Sequence, residues 1–219
     1  VCSSNDAKDG TFLAAVNEMG ELNDHVAVPG GTSVSADNVR EKIITFLMQT
    51  RPAAIVIGSG GGVSTRVTQR KLAELVNVAI DRWNNRLIQG QDEDDDDYEA
   101  RVHNFQMMHP NHDEDDDFVW KCDCEIVDDN VAQLFGRSVR GKKEFPDTAI
   151  NLKVAIATAR WVKEPLAELA YTWSAASDTG VFGTEMLFLN IHPLQRLLPK
   201  PMLLREYERV LCNVTVEVG

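Results

Sequence analysis

The chain has 219 residues and a formal net charge of −12, enough length for one sizeable core, or for one domain with the start of another. No run approaches the roughly 18 continuous apolar residues of a membrane helix, and the first residues lack the basic, apolar, small order of a signal peptide. A soluble chain is expected, and because Val1 to Ser3 read as a strand already under way, so is a piece cut from a longer protein.

Residues 1 to 18 read as a hairpin: the turn-forming run Asn5 to Gly10 precedes the apolar stretch Phe12-Leu-Ala-Ala-Val16. A further strand is expected at His25 to Val28, stopped by Pro29-Gly-Gly31, and then a helix capped by Ser35 or Asp37 with Val39, Ile43, Phe46 and Leu47 on one face. Pro52 to Gly58 is a short apolar, β-branched run bounded by Pro and Gly, the pattern of a strand covered on both faces. The loop Gly58-Ser-Gly-Gly-Gly62 leads into a long helix from Ser64 to about Ile88, striped by Leu72, Leu75, Val76, Ala79 and Ile80.

Residues 91–117 concentrate the charge. Asp92, Glu93, Asp94, Asp95, Asp96, Asp97 and Glu99 are followed by Asp113, Glu114, Asp115, Asp116 and Asp117, against the single base Arg101. That is twelve of the 34 acids, leaving 22 acids against 21 bases elsewhere. Neighbouring carboxylates repel and cannot be buried unpaired, so a solvated, disordered acidic loop inserted into a fold is expected. Those eleven acids other than Glu99 are the candidate contacts for a basic partner; the alternative is a solvated linker with no partner.

Beyond the insertion, Phe118 to Ile126 alternates as a strand, Asp128 or Asp129 caps a short helix through Phe135, and Pro146-Asp147 opens a helix with Ile150, Val154, Ile156, Ala157 and Trp161. Pro165 ends or kinks it before a second segment, Leu166 to Trp173. A Ser-, Thr- and Gly-rich loop follows at 174–184, and Pro201 to about Val216 forms an amphipathic helix leading out of the domain. The order is that of an α/β, RNase H-like fold, a mixed five-stranded sheet flanked by helices.

Four segments carry a family resemblance. Val127 to Phe135 with Glu144-Phe-Pro146, Ala155-Ile-Ala-Thr-Ala-Arg160 with Glu164-Pro-Leu-Ala-Glu168, His192-Pro-Leu-Gln-Arg-Leu-Leu-Pro199, and Asn213 to Gly219 stand in one order along the chain. They resemble the YqgF-homology (RNase H-like) domain of the eukaryotic suppressor-of-Ty six transcription elongation factors, related to bacterial Tex. The resemblance implies a YqgF domain over 1–200, with 91–117 as an insertion, and the start of a helix-hairpin-helix region over 201–219. It implies a nuclear parent that acts with RNA polymerase II, binds histones and helps reassemble nucleosomes.

Nucleases of this fold hold two divalent metals about 4 Å apart with converging carboxylates. On the first strand the acid position falls on Ser4 or Asn5, unless the register shifts to Asp6; Asp6 and Asp9 read as turn residues. The central strand ends at Gly58-Ser59 with no acid before Glu74, and the late helix offers Asn151 and Lys153, with Asp147 at its cap and Glu164 beyond Trp161. No catalytic, cofactor or metal residue is therefore assigned. The glycine loop lacks the Gly-Lys-Ser/Thr ending of a phosphate loop and reads as a tight turn, with Arg66, Arg70 and Lys71 a solvated face. Ser59, Ser64 and His192 lack the Gly-x-Ser-x-Gly context of a hydrolase. Cys2, Cys122, Cys124 and Cys212 are too few for a disulfide framework, so reduced thiols are expected; a zinc set of Cys122 and Cys124 with His103, His109 or His112 lacks a second cysteine pair. Asn213-Val-Thr215 is read as a chance sequon. The expected function is a non-catalytic scaffold and interaction domain docking neighbouring domains of its parent. The alternatives are a metal-dependent resolvase-class nuclease, which the missing carboxylates disfavour, and a non-catalytic nucleic-acid-binding module, which the missing basic stripe disfavours.

Overall fold

The computed structural model describes residues 10–29, 36–85, 94–108, 120–174 and 184–218. Strand β1 (Thr11–Val16) pairs antiparallel with β2 (Leu22–Val28). Asn17 makes the turn between them: its Oδ1 accepts from the N–H groups of Met19 and Glu21, both at 2.9 Å, while Gly20 takes a positive φ of 77°. The partner expected upstream of β1 lies outside the described residues; β2 pairs with it from downstream and starts at Leu22, ahead of the expected His25.

Helix α1 (Asp37–Thr50) starts after Ala36, whose side chain makes no cap, so Asp37 is a first-turn residue facing the positive end of the helix rather than its cap. Strand β3 (Ala54–Gly58) lies parallel to β4 (Asp123–Val127), and α2 (Val63–Asn84) belongs to the long crossover that parallel strands require. Ile43, Leu47, Ile57, Leu72, Val76, Trp83 and Trp120 form the main core between these elements. Trp120 donates its indole N–H to Pro52 O at 2.9 Å, so the large side chain is buried with its polar atom satisfied.

The expected five-stranded sheet is not what the described residues make. Their four strands form two separate pairs, β1 with β2 and β3 with β4. The strand expected at Val1 to Ser3 falls outside the described residues, as do Phe118 and Val119 of the next one; β4 begins only at Asp123, after Trp120 has turned its indole to Pro52 O.

The acidic segment holds a second departure. Asp95–Met108 is a helix, α3, where a loop is expected. Its acids stand in the first turn, where carboxylates meet exposed N–H groups and the positive helix end, and Asp94 Oδ1 accepts from the Asp97 N–H at 2.8 Å. Charge that opposes burial thus favours helix initiation in water.

The second half is helical: α4 (Asn130–Arg137), α5 (Val139–Glu144), α6 (Ile150–Lys163) and α7 (Pro165–Ser174). Helix α5 has no counterpart in the sequence reading; Ser138 starts it by accepting from the Gly141 N–H at 2.9 Å. Pro146-Asp147 occupies a turn ahead of α6, which opens at Ile150 after an Ala149 without a side-chain cap. Helix α6 is buried from Leu152 to Thr158 and packs on α4, β1, β3 and α7. Trp161 is partly buried beside the Val131, Met186 and Leu189 cluster rather than in the main core. Two 3₁₀ turns, Thr184–Phe188 and Pro193–Leu197, lead to helix α8 (Lys200–Val218), which docks through Tyr207 and Leu211. The Tyr207 hydroxyl is buried there without a hydrogen-bond partner. No helix among the described residues is long and apolar enough to cross a membrane.

A Cβ on Gly136 would stand 2.6 Å from Val154 Cγ2, so the α4–α6 crossing needs glycine there. Gly136→Ala is expected to destabilise by about 1 to 2 kcal/mol, overpacking outweighing the better helix propensity of alanine. Urea unfolding checks this, and Val154→Ala in the same chain should recover part of the loss.

Candidate functional site

In open α/β sheets ligands sit at the C-terminal ends of parallel strands. Here those ends are Gly58 and Val127, and the space beyond them is taken by Asp129, 3% exposed. Its Oδ1 accepts from the Gly60 N–H at 3.0 Å and the Ser59 hydroxyl at 3.3 Å, and its Oδ2 accepts from the Gln133 amide at 2.9 Å. A Cβ on Gly58 or Gly60 would come within 2.5 or 3.0 Å of this carboxylate, so the loop is glycine-rich because a buried anion lies against it. The N–H that a bound phosphate would use at Gly60 is already donated to Asp129.

Asp129 sits at the N-cap position of α4 but does not cap it; Asp128 accepts the Asn130 N–H at 2.9 Å instead. Of the two acids the sequence offers as the cap, Asp129 instead reaches back to the glycine loop, which local sequence does not signal. Asn151 of α6 donates to Gly10 O at 3.2 Å, and Lys153 is 4% exposed with no ion pair among the described residues. Asp129 is thus committed to three donors, and the late helix offers the buried side chain of Lys153 where a two-metal centre would use a carboxylate. Ser4, Asn5, Asp6 and Asp9 lie outside the described residues. Among the described residues no group of three or more His, Cys, Asp or Glu side chains could hold a metal ion.

Cys122 and Cys124 are partly buried. Burial, reinforced by neighbouring Cys124 and Asp123, pushes the Cys122 thiol up to about 11, and burial also raises Cys124. Both are protonated at neutral pH, and His109 and His112 lie outside the described residues.

Of the acids expected to meet a basic partner, Asp94 to Asp97 are exposed at the start of α3. Asp92, Glu93 and Asp113 to Asp117 lie outside the described residues.

The segments that carry the family resemblance converge elsewhere. Arg140 of α5 lies over Tyr171 at 4.1 Å and over Phe135 at 4.9 Å, and pairs with buried Glu168 at 3.1 Å. Arg160 of α6 pairs with Glu144 at 2.6 Å, donates to Gly20 O at 2.6 Å, and lies 5.8 Å over Phe135 and Phe145. Phe135 and Phe145 meet edge to face. The two guanidiniums thus bind α4, α5, α6, α7 and the β1–β2 turn together, one aromatic ring serving both. The His-Pro-Leu-Gln segment is a turn of its own: His192 Nδ1 accepts from the Leu194 N–H, and the Gln195 amide donates to Leu187 O and Leu189 O. Beside the arginine network a cleft of about 560 Å³ opens between the β1–β2 turn and α5 to α7.

No family model matches the chain. It is 34% identical over 95 residues to the transcription elongation factor SPT6 of Drosophila melanogaster, covering 43% of this chain and 5% of that protein. It is 26% identical over 180 residues to SPT6 of Mycosarcoma maydis, covering 82% and 8%, and 32% identical over 97 residues to spt6 of Schizosaccharomyces pombe, covering 44% and 6%. The chain is related to SPT6 transcription elongation factors and spans between 5 and 8% of the length of these relatives.

Removing the internal anion should be felt across the loop. Asp129→Ala is expected to cost roughly 1 to 3 kcal/mol by removing the acceptor that holds the glycine loop to α4, and Asp129→Asn less, since its carbonyl still accepts. Denaturant unfolding of the two variants checks the order. At pH 8 an alkylating reagent should modify exposed Cys212 well before Cys122, the gap narrowing toward pH 11 as the Cys122 thiolate forms; mass spectrometry of timed digests reads this directly.

Proposed function

We propose that this chain is a non-catalytic, RNase H-like scaffold and interaction domain of a nuclear transcription elongation factor and histone chaperone that acts with RNA polymerase II. Relatedness to SPT6 elongation factors supports a role in transcription elongation. The element order from the β1–β2 hairpin through α1, β3, α2 and β4 to α6 supports the RNase H-like reading.

The observation that carries the scaffold reading is how the family-like residues are used. Arg160, Glu144, Glu168 and Gln195 are spent on ion pairs and backbone carbonyls within the chain. Asp129, the buried acid at the strand ends, accepts from three donors within the chain. Large apolar side chains are exposed along the last part of the chain: Phe188, Ile191, Leu194 and Leu197 on the 3₁₀ segment, then Met202, Val210 and Val214 on α8. A run of this extent suits contact with neighbouring domains of a larger parent. The acids of 91–117 are the proposed contacts for histones, because a concentrated negative field attracts basic partners and repels phosphate.

With Mg²⁺ or Mn²⁺ the purified chain is expected to leave four-way junctions and RNA:DNA hybrids intact. Metal-dependent cutting abolished by Asp6→Ala would overturn the non-catalytic reading. Core histones are expected to be retained at low salt and released by about 0.5 M, where the Debye length is only a few ångströms. Retention unchanged after deletion of 91–117 would remove the histone assignment from that segment.

A further inference from the structure

We propose that the cleft between the β1–β2 turn and helices α5, α6 and α7 binds an arginine-bearing segment of a partner protein. Its volume, about 560 Å³, lies in the range of clefts that take a small ligand or a short side-chain segment.

The charge of the cleft is set by what remains after internal pairing. Arg140 and Arg160 are neutralised in place by Glu168 and Glu144. Glu18, Glu21 and Glu164 then face the cleft against Lys163, and Glu18, Glu164 and Lys163 have no ion pair among the described residues. A wall with this excess favours a cation and repels phosphate, which makes a basic peptide rather than a nucleic acid the matching ligand.

The molecule also demonstrates which cation suits the wall. Arg140 is held by an aromatic plane and a carboxylate together, Tyr171 at 4.1 Å and Glu168 at 3.1 Å. Tyr171 remains 50% exposed, and Met19, 85% exposed, lines the same cleft. A planar guanidinium can lie on such apolar surface while its N–H fork meets the rim carboxylates; an ammonium offers no plane to stack. This surface excludes α3, so it is independent of the histone assignment made for the acidic segment.

The test uses the full 219-residue chain, isotope-labelled, and a capped five-residue peptide carrying two arginines at low salt. Backbone NMR shifts are expected to saturate at Glu18 to Glu21 and at Glu164 to Tyr171. The lysine version should bind several-fold more weakly, and the glutamate version should give no shifts there. Glu18→Lys combined with Glu164→Lys, both at exposed positions, should weaken binding at least tenfold, whereas deleting 91–117 should leave it unchanged. Absence of shifts at these residues with millimolar peptide, equal binding by the double variant, or shifts confined to 91–117 would each overturn the proposal. Histone retention by 91–117 with a silent cleft would do so while leaving the histone assignment standing.

Discussion

The buried middle of α6 is the constraint on which the other elements depend. From Leu152 to Thr158 the helix has no solvent face, and its alanines allow α4, β1 and β3 to approach it from different sides. At Gly136 the approach of α4 leaves no room for a Cβ beside Val154. A helix surrounded in this way needs its polar anchors at the ends, and it has them: Asn151 reaches Gly10 at the start of β1, and Arg160 reaches Gly20 beyond its end. Helix and strand are therefore tied in parallel by one hydrogen bond at each extremity.

The two ends of this assembly use charge in different ways. At the strand ends a single carboxylate, Asp129, is taken out of water and compensated by one backbone N–H and two side-chain donors. At the far end of α6 two guanidiniums meet two glutamates over one shared ring, Phe135. Arg140 and Glu168 are largely sheltered, so breaking the pair would leave a charge stranded, and that makes each partner a condition of the other. The exposed pairs, such as Arg82 with Glu41, lower Glu41 through its hydrogen bond to the guanidinium but lie in water, where they contribute little.

The periodic segments were legible in the sequence. Apolar spacing located α1, α2, α6, α7 and α8, and the β-branched run Ile55-Val-Ile57 located β3. What escaped was decided by contacts between distant residues. Nothing local distinguishes Asp129 from Asp128 as the acid that turns inward 69 residues back to Gly60; the glycines at 58 and 60 are the one sequence trace of that carboxylate. Composition also misled at α3, because a tally of acids carries no position along a helix, and Asp95 to Asp97 stand at the end that favours them. Helix α5 escaped because its six residues are too few for a period, and its signal is the cap by Ser138.

The motifs that carry the family resemblance do not disclose in sequence what their polar side chains touch, because those partners lie in other elements. A group that acts on a ligand keeps a donor, a lone pair or a charge directed outward, and Arg160, Glu168 and Gln195 direct theirs at partners inside the chain. The charges left over lie on the cleft rim and on α3, outside those pairs, and the apolar surplus lies along the 3₁₀ segment and α8. The arginine network and the cleft share a wall, since Arg140, Glu144, Arg160, Glu168 and Tyr171 of the network also line the cleft. A substitution in that network should therefore lower stability, whereas one at exposed Glu18 or Glu164 should leave it nearly unchanged.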